Sequence, residues 1–347
     1  MKKTVILGLS GGLDSLVSAL LLKQKGFNVK ARAFHLWEND ESLKNAKELA
    51  AKLNIDFQVV ELSRIFKTKI IEPFIQDYIN GKTPNPCVWC NDIIKINFLH
   101  QEMIKSDADF FSTGHYIRIK KHHQQYYIFK GIDTVKDQSY FLWNVKSKYL
   151  KYWLTPLGDY TKQEIREIAI EHKMGFLAHR KESMGICFIG KEGYQQFIKN
   201  HRPQNIKIEQ GNIIDQQNTI LGTHNGIPYY TIGQKKGLCL NDSKKVVIAI
   251  NKKENTITVG ENTDLEITQF KIRDYYFIDN NDIKNPLLKV WVRGIGKNPK
   301  GNCKITAINQ LFISIKLDNY AWALAEGQPV AFYIKERLVG GGYICNC

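Results

Sequence analysis

No run of apolar residues in this 347-residue chain approaches the roughly 20 that a membrane-spanning helix requires, which sets aside a helical membrane anchor. Near the amino end, Val5-Ile6-Leu7 stops at Gly8, and glycines and Asp14 follow at once, so no secretory signal is expected and the chain is expected in the cytoplasm. Cysteines are few and irregular: Cys87, Cys90, Cys187, Cys239, Cys303, Cys345 and Cys347, an odd count of seven. That excludes the disulfide scaffold of a small secreted protein and leaves free thiols, some of them reactive. Acidic residues are also short, 34 against 49 Lys plus Arg, a formal excess of +15. The basic residues are scattered, many beside aromatics, as from Lys146 to Trp153 and from Tyr229 to Lys236. A polyanionic partner such as nucleic acid fits this balance; a lysine-rich, well-solvated surface fits it as well. There is no internal repeat and no low-complexity segment.

What is present has two textures. Over residues 1–200, apolar strand runs alternate with amphipathic helix patterns. Thr4 to Leu9, Asn28 to Leu36, Ile55 to Leu62 and Asp109 to Thr113 read as strands; Leu13 to Lys25, Glu41 to Leu53, Thr161 to His172 and Glu192 to Asn200 read as helices. This alternation predicts an α/β fold with a doubly wound parallel sheet, whose ligands bind beyond the carboxyl ends of the strands. Near Arg202-Pro203 the texture changes to short strands separated by Asn, Gly, Asp and Lys, among them Val246 to Asn251, Leu287 to Arg293 and Val339 to Ile344. A small β domain over 201–265 and a β-barrel over 266–347 are expected to follow the catalytic domain.

Ser10-Gly11-Gly12-Leu13-Asp14-Ser15 stands between the first strand and the first helix. Two glycines let backbone approach a ligand, and amide hydrogens converge at the positive end of a helix, which makes an anion cradle. The Ser10 and Ser15 hydroxyls add donors. Asp14 repels phosphate on its own and so implies Mg2+ between carboxylate and nucleotide. The loop is neither a Walker A loop nor the dinucleotide fingerprint. A plain glycine turn with a helix cap is its bland counterpart.

Two cysteine segments follow. In Thr83-Pro84-Asn85-Pro86-Cys87-Val88-Trp89-Cys90-Asn91, two prolines stiffen the approach and Cys90-Asn91 begins a predicted helix. A thiol at a helix amino end has a lowered pKa, so Cys90 is expected to carry thiolate. Ser183-Met184-Gly185-Ile186-Cys187-Phe188-Ile189-Gly190 holds a cysteine in an apolar stretch between glycines. Taken singly, each cysteine is also explained as a small buried hydrophobe.

Together these segments resemble the tRNA-specific 2-thiouridylase family (MnmA type), within the pyrophosphate-loop ATP pyrophosphatases. Thr113-Gly114-His115-Tyr116, Lys136-Asp137-Gln138-Ser139-Tyr140-Phe141-Leu142, Pro156-Leu157-Gly158, Tyr230 to Leu238 and Val339 to Gly342 extend the likeness in order along nearly the whole chain. The resemblance implies an adenine nucleotide alpha hydrolase-like fold and an ATP-dependent transferase that thiolates the wobble uridine of tRNA. It implies that ATP adenylates the uridine C2 oxygen, that Cys187 carries a persulfide received from a sulfur-relay donor protein, and that Cys90 releases the sulfur through a transient Cys90–Cys187 disulfide. It places Gly8, Leu9, Ser10, Gly11, Gly12, Asp14, Ser15, Phe34, Gly114 and His115 at the ATP site, with Trp37 where adenine rests. Asn85, Lys136, Asp137, Gln138, Tyr140, Gln234, Lys235, Lys236 and Arg293 fall at the tRNA. Helix packing for Tyr140-Phe141, a structural role for His115 and a solvated turn for Gln234-Lys235-Lys236 are the plain alternatives.

The chain departs from the family in three places. Where an Asp commonly stands three residues before the first catalytic cysteine, this chain has Cys87; either it is a tolerated replacement, or Cys87, Cys90 and Cys187 form a three-thiolate site for an iron–sulfur cluster or zinc. The link from Trp37-Glu38 to Leu43 is short, and Glu182 replaces an Asp before Ser183. A paralogue thiolating another RNA nucleotide, or an RNA-binding homologue with altered catalysis, are the competing readings. Cys345-x-Cys347 has no assigned role.

Overall fold

The computed structural model of the chain describes residues 2–38, 40–178, 185–240, 242–294 and 296–346. The chain divides into two compact units that interleave in sequence. The first takes Met1–Ile70, Cys87–Phe188 and Glu336–Val339; the second takes Ile71–Pro86, Ile189–Lys335 and Gly340–Cys347.

The first unit is built on a parallel sheet. Its strands are β1 (Thr4–Gly8), β2 (Asn28–His35), β3 (Asp56–Glu61), β4 (Phe110–Ser112) and β7 (Trp153–Leu154), in the order β3-β2-β1-β4-β7. Val5 pairs with Val29 on one side and Phe110 on the other, so the strand order reverses between β1 and β4. Val5, Ile6 and Leu7 are wholly buried because helices cover both faces, which explains the continuous apolar run. Helix α1 (Leu13–Gln24) and helix α2 (Asp40–Lys52) share a core in which Leu16, Leu20 and Leu49 meet Val5, Leu7 and Ala31. The helix Asn97–Lys105 packs on β1 and β4. Arg32, buried in β2, is held by Glu102 at 3.2 Å and Asp56 at 3.5 Å.

Two features of this unit depart from the expected pattern. The hairpin β5 (Ile117–His122) and β6 (Gln125–Lys130) lies off the sheet path and meets β17 (Arg337–Cys345) through Phe129 and Arg337. The cysteine helix starts at Pro86 rather than Cys90: Pro86–Trp89 forms one turn, Cys90–Ile96 is π-helical, and Asn97–Lys105 is α-helical. Proline suits a first helical position because its missing N–H would have no partner there.

The second unit is mostly β. A four-stranded sheet runs β10 (Val246–Asn251), β11 (Thr256–Gly260), β8 (Gly211–Ile214), β9 (Ile220–His224), over a core of Ile213, Tyr230, Val247 and Ile257. A larger path runs β13 (Leu288–Trp291), β16 (Pro329–Ile334), β17, β12 (Glu266–Phe277), β15 (Ile313–Trp322), β14 (Cys303–Ile308), and β13 meets β14 so that the sheet curls toward closure. Every residue of β16 is buried, as expected where a strand lies inside a curled sheet. No helix among the described residues is long and apolar enough to cross a membrane.

Candidate active site

The Ser10–Ser15 loop leaves β1 at the point where the strand order reverses, where an open α/β sheet offers a crevice for a ligand. Gly11 has φ +79°, and a Cβ there would stand 2.6 Å from the Ser42 carbonyl oxygen, so glycine is required twice over. Ser15 Oγ accepts from the Ser10 amide at 3.1 Å and donates to the Gly12 carbonyl at 3.0 Å. The serines therefore first close the loop on itself, while Ser10 stays exposed. Leu9 is buried and its amide donates to the Arg32 carbonyl at 2.9 Å; Gly8 ends β1 against Leu99. Phe34, near the end of β2, and Trp37 beyond it are half-buried.

Asp14 opens α1 beside that loop. Its Oδ1 accepts from Lys162 Nζ and from the Tyr116 hydroxyl, each at 2.7 Å. Lys162 is 6% exposed, so its ammonium is a fixed charge at the amino end of α1. Gly114 lies against Asp14, where a Cβ would meet the Asp14 backbone at 3.1 Å. Tyr116 is fixed in turn: its amide donates to Gln138 Oε1 at 3.0 Å, and the Gln138 amide to the Tyr116 carbonyl at 3.4 Å. Asp137 accepts from the Gly131 amide at 3.1 Å and from Ser139 Oγ at 2.7 Å, while burial pushes its carboxyl above the usual range. Residues 136–139 thus brace the loop bearing Tyr116.

The three cysteines gather in the same unit, each within electrostatic reach of the others. Cys187 is exposed, whereas Cys90 is 6% exposed and burial pushes its thiol up to about 12. The expected lowering is reversed because burial desolvates the thiolate; the helix also begins a turn earlier, at Pro86, so Cys90 does not stand at its positive end. Burial also raises the Cys87 thiol. Opposing this is Lys95, five residues past Cys90 on the π-helical segment, where residues at that spacing share a face. Desolvation works against the Lys95 charge, but Cys90, Cys187 and Cys87 together hold its pKa above the ordinary value. A positive charge next to sulfur is what a developing thiolate needs.

A family model described as "tRNA methyl transferase HUP domain" matches residues 3–191, with models for a PRC-barrel domain over 195–261 and an aminomethyltransferase beta-barrel domain over 268–344. The tRNA-specific 2-thiouridylase MnmA of Clostridioides difficile (strain 630) is 37% identical over 361 residues, covering 99% of this chain and 98% of that protein. A counterpart in Clostridium botulinum (strain Langeland) is 37% identical over 359 residues, covering 99% of each. The chain belongs to the tRNA-specific 2-thiouridylase family.

Two of the residues that the thiouridylase resemblance assigns are buried. Tyr140 is 2% exposed and packs edge-on against Phe141. His115 is buried, shares a hydrogen bond of 2.7 Å with Thr113 and stands edge-on to Trp153; burial, then Lys95, depresses its pKa to about 3. It is a neutral side chain there, partnered by Thr113. Among the described residues no group of three His, Cys, Asp or Glu is disposed to hold a metal ion, so the three cysteines do not fit a cluster or zinc site in this arrangement. Ser183, Met184 and Glu182 lie outside the described residues, as does Cys347; Cys345 is buried.

The remaining assigned residues of this thiouridylase belong to the second unit. Asn85 is half-buried beside Pro86. Gln234 folds its side chain into its own turn, accepting from the Thr231 amide at 3.1 Å and donating to the Lys236 carbonyl at 2.9 Å, which leaves Lys235 and Lys236 exposed. Arg293 donates to the Trp322 and Ala323 carbonyls at 3.0 and 2.9 Å. Gly233 touches that same pair from another side, so the turn and Arg293 share one support. Sequence reading passed over Lys162 and Lys95. The first lay in an evident capping box, Thr161 to Glu164, whose helix could be read but not its contact with α1. The second carried a signal only if a π-helix was assumed.

Proposed function

We propose that this chain thiolates a tRNA uridine with ATP, at C2 of the wobble base. The observation that carries the reading is the assembly of Cys90, Cys187 and Lys95 in one unit with a pyrophosphate loop set at the sheet's switch point. The family membership supports the acceptor. Residues 1–200 hold the ATP chemistry in this proposal, with the 201–265 and 266–347 segments contributing to RNA binding.

In the first step the uridine O2 attacks the α-phosphorus of ATP, pyrophosphate leaves, and the N3 proton is given up. The loop amides and Lys162 stabilise charge on the departing phosphates. Asp14 fits a single-carboxylate Mg2+ ligand through the oxygen that Lys162 and Tyr116 do not use; the ion would add charge neutralisation there. In the second step the terminal sulfur of a Cys187 persulfide attacks C2 and AMP leaves with the original oxygen. Cys90 thiolate then attacks Cys187 Sγ, breaking the bond to the transferred sulfur. The thiouridine regains its N3 proton, and a Cys90–Cys187 disulfide awaits an external dithiol. A sulfur-relay protein supplies the persulfide. The exposure of Cys187 suits that delivery, while the burial of Cys90 keeps the resolving thiol away from stray oxidants.

The test is nucleoside mass spectrometry of tRNA from cells carrying Cys187→Ser or Cys90→Ser in place of the native chain. Loss of 2-thiouridine in both, with tRNA binding kept in vitro, is expected; undiminished thionucleoside in either overturns the sulfur route.

A further inference from the structure

From Gln138 to Gly158 there is no acidic residue, and Lys146, Lys148 and Lys151 alternate with Tyr149 and Tyr152. The segment turns through Ser139–Leu142 and Ser147–Tyr152 before entering β7. Its apolar side chains point inward: Tyr149 is 7% exposed, Leu150 1% and Trp153 2%. The His100 ring stands 4.9 Å from Tyr149 and 5.8 Å from Tyr152. Lys148 and Lys151 are exposed, with their ammonium groups 5.0 and 4.6 Å from the centres of the neighbouring tyrosine rings.

This basic turn is fastened to the cysteine helix by side-chain bonds. Asn91 Nδ2 donates to the Phe141 carbonyl at 3.2 Å, Asn144 Nδ2 to Asp92 Oδ2 at 2.9 Å, and the Tyr149 hydroxyl to Asn97 Oδ1 at 3.2 Å. Lys146 Nζ donates to Asn144 Oδ1 at 3.1 Å, so a lysine of the turn joins the same link. Two of the three anchoring positions, Asn91 and Asp92, directly follow Cys90 in sequence.

We propose that the Lys146–Tyr152 turn is an RNA docking surface whose attachment to the cysteine helix sets the RNA register relative to Cys90. The inference rests on the RNA-thiolation reading. Charge complementarity chooses the occupant: exposed ammonium groups on a stretch free of carboxylates suit a phosphate backbone, and the chain as a whole carries +15. Rigidity supplies the consequence. Sulfur transfer needs the base held at bond-forming distance, and a phosphate contact conveys position only if its platform is tied to the reacting group. Lysines on a loose tail would add affinity without register.

The test measures binding of a transcribed substrate tRNA to the full chain over a salt series, for wild type, Lys148→Ala/Lys151→Ala and the charge-matched control Lys44→Ala/Lys47→Ala on α2. Loss of two phosphate contacts should flatten the slope of log affinity against log salt by about 1.4 to 1.8 and weaken binding roughly tenfold or more at low salt. The control should keep a slope steeper than that of the Lys148/Lys151 double variant. Asn144→Ala should keep the wild-type slope yet slow single-turnover thiolation. A folded double variant with wild-type slope and affinity overturns the proposal. So does unchanged tRNA binding with loss of thiolation only when sulfur comes from a donor protein, which would make the turn a protein-docking face. If wild-type chain fails to bind tRNA, the RNA-thiolation reading itself falls and takes this surface with it.

Discussion

At the scale of single residues, the proposed sulfur transfer uses two thiols in opposite surroundings. Brief iodoacetamide treatment of the resting protein near pH 8 should label Cys187 and spare Cys90, as read by peptide mass mapping; equal labelling would contradict the burial of Cys90. Lys95→Met removes the charge opposing that burial. It should slow single-turnover sulfur transfer by about tenfold for each pKa unit by which the thiol rises, leaving tRNA affinity in place, while Lys95→Arg keeps most of the rate. The same groups set a pH window for stability. His115 stays neutral in the fold down to about 3, whereas in the unfolded chain it takes a proton near 6.5, so stability should fall as pH drops from 6.5 toward 3. Cys90 keeps its proton to about 12 against 9 when unfolded, so stability from that site is intact below pH 9 and drains as pH climbs. Denaturant titrations at pH 7 and pH 5 should differ by no more than about 1.4 kcal/mol per pH unit from His115, and His115→Gln should flatten that slope. Cys90 and Cys187 stood out as a pair only through the family resemblance, since each segment alone also reads as a small buried hydrophobe. Their protonation was not, because it follows from burial and from a lysine whose alignment depends on a π-helical turn.

At the scale of elements, the parallel sheet was legible because strands buried on both faces read as unbroken apolar runs, as in Thr4 to Leu9. The hairpin Ile117–Lys130 escaped notice because the alternation Ile117-Arg118-Ile119-Lys120 is short and runs into the polar stretch Lys121 to Gln125, and β12 because the adjacent Thr268 and Gln269 break its period. The start of the cysteine helix was misplaced because Pro84 and Pro86 read as stiffeners, though one of them is a first helical residue. Two elements invite a stability test. Glu102→Ala leaves the 3%-exposed Arg32 side chain without its nearer carboxylate and should destabilise the fold by roughly 3 kcal/mol in denaturant titration. Gly11→Ala sets a methyl group 2.6 Å from the Ser42 carbonyl oxygen at a positive φ, so ATP-dependent pyrophosphate release should be lost well before the fold is.

At the scale of the whole molecule, the charge of +15, spread over both halves rather than held in a tail, fitted a partner carrying phosphate and a solvated lysine-rich surface equally. The basic, aromatic run from Lys146 to Trp153 was legible, but its exposure and anchoring were not, because those are properties of the folded chain: only there are Asn144 and Tyr149 seen fastened to the cysteine helix. The proposed chemistry ties ATP to sulfur through one oxygen atom, which in that scheme leaves the base on AMP. The most direct measurement therefore uses tRNA bearing oxygen-18 at C2 of the target uridine, in a reaction with ATP and a persulfide donor. One oxygen-18 per AMP is predicted, in step with thiouridine formed. Thiouridine accumulating alongside unlabelled AMP would contradict activation of that oxygen by ATP, and with it the coupling of nucleotide to sulfur on which the chain's proposed function depends.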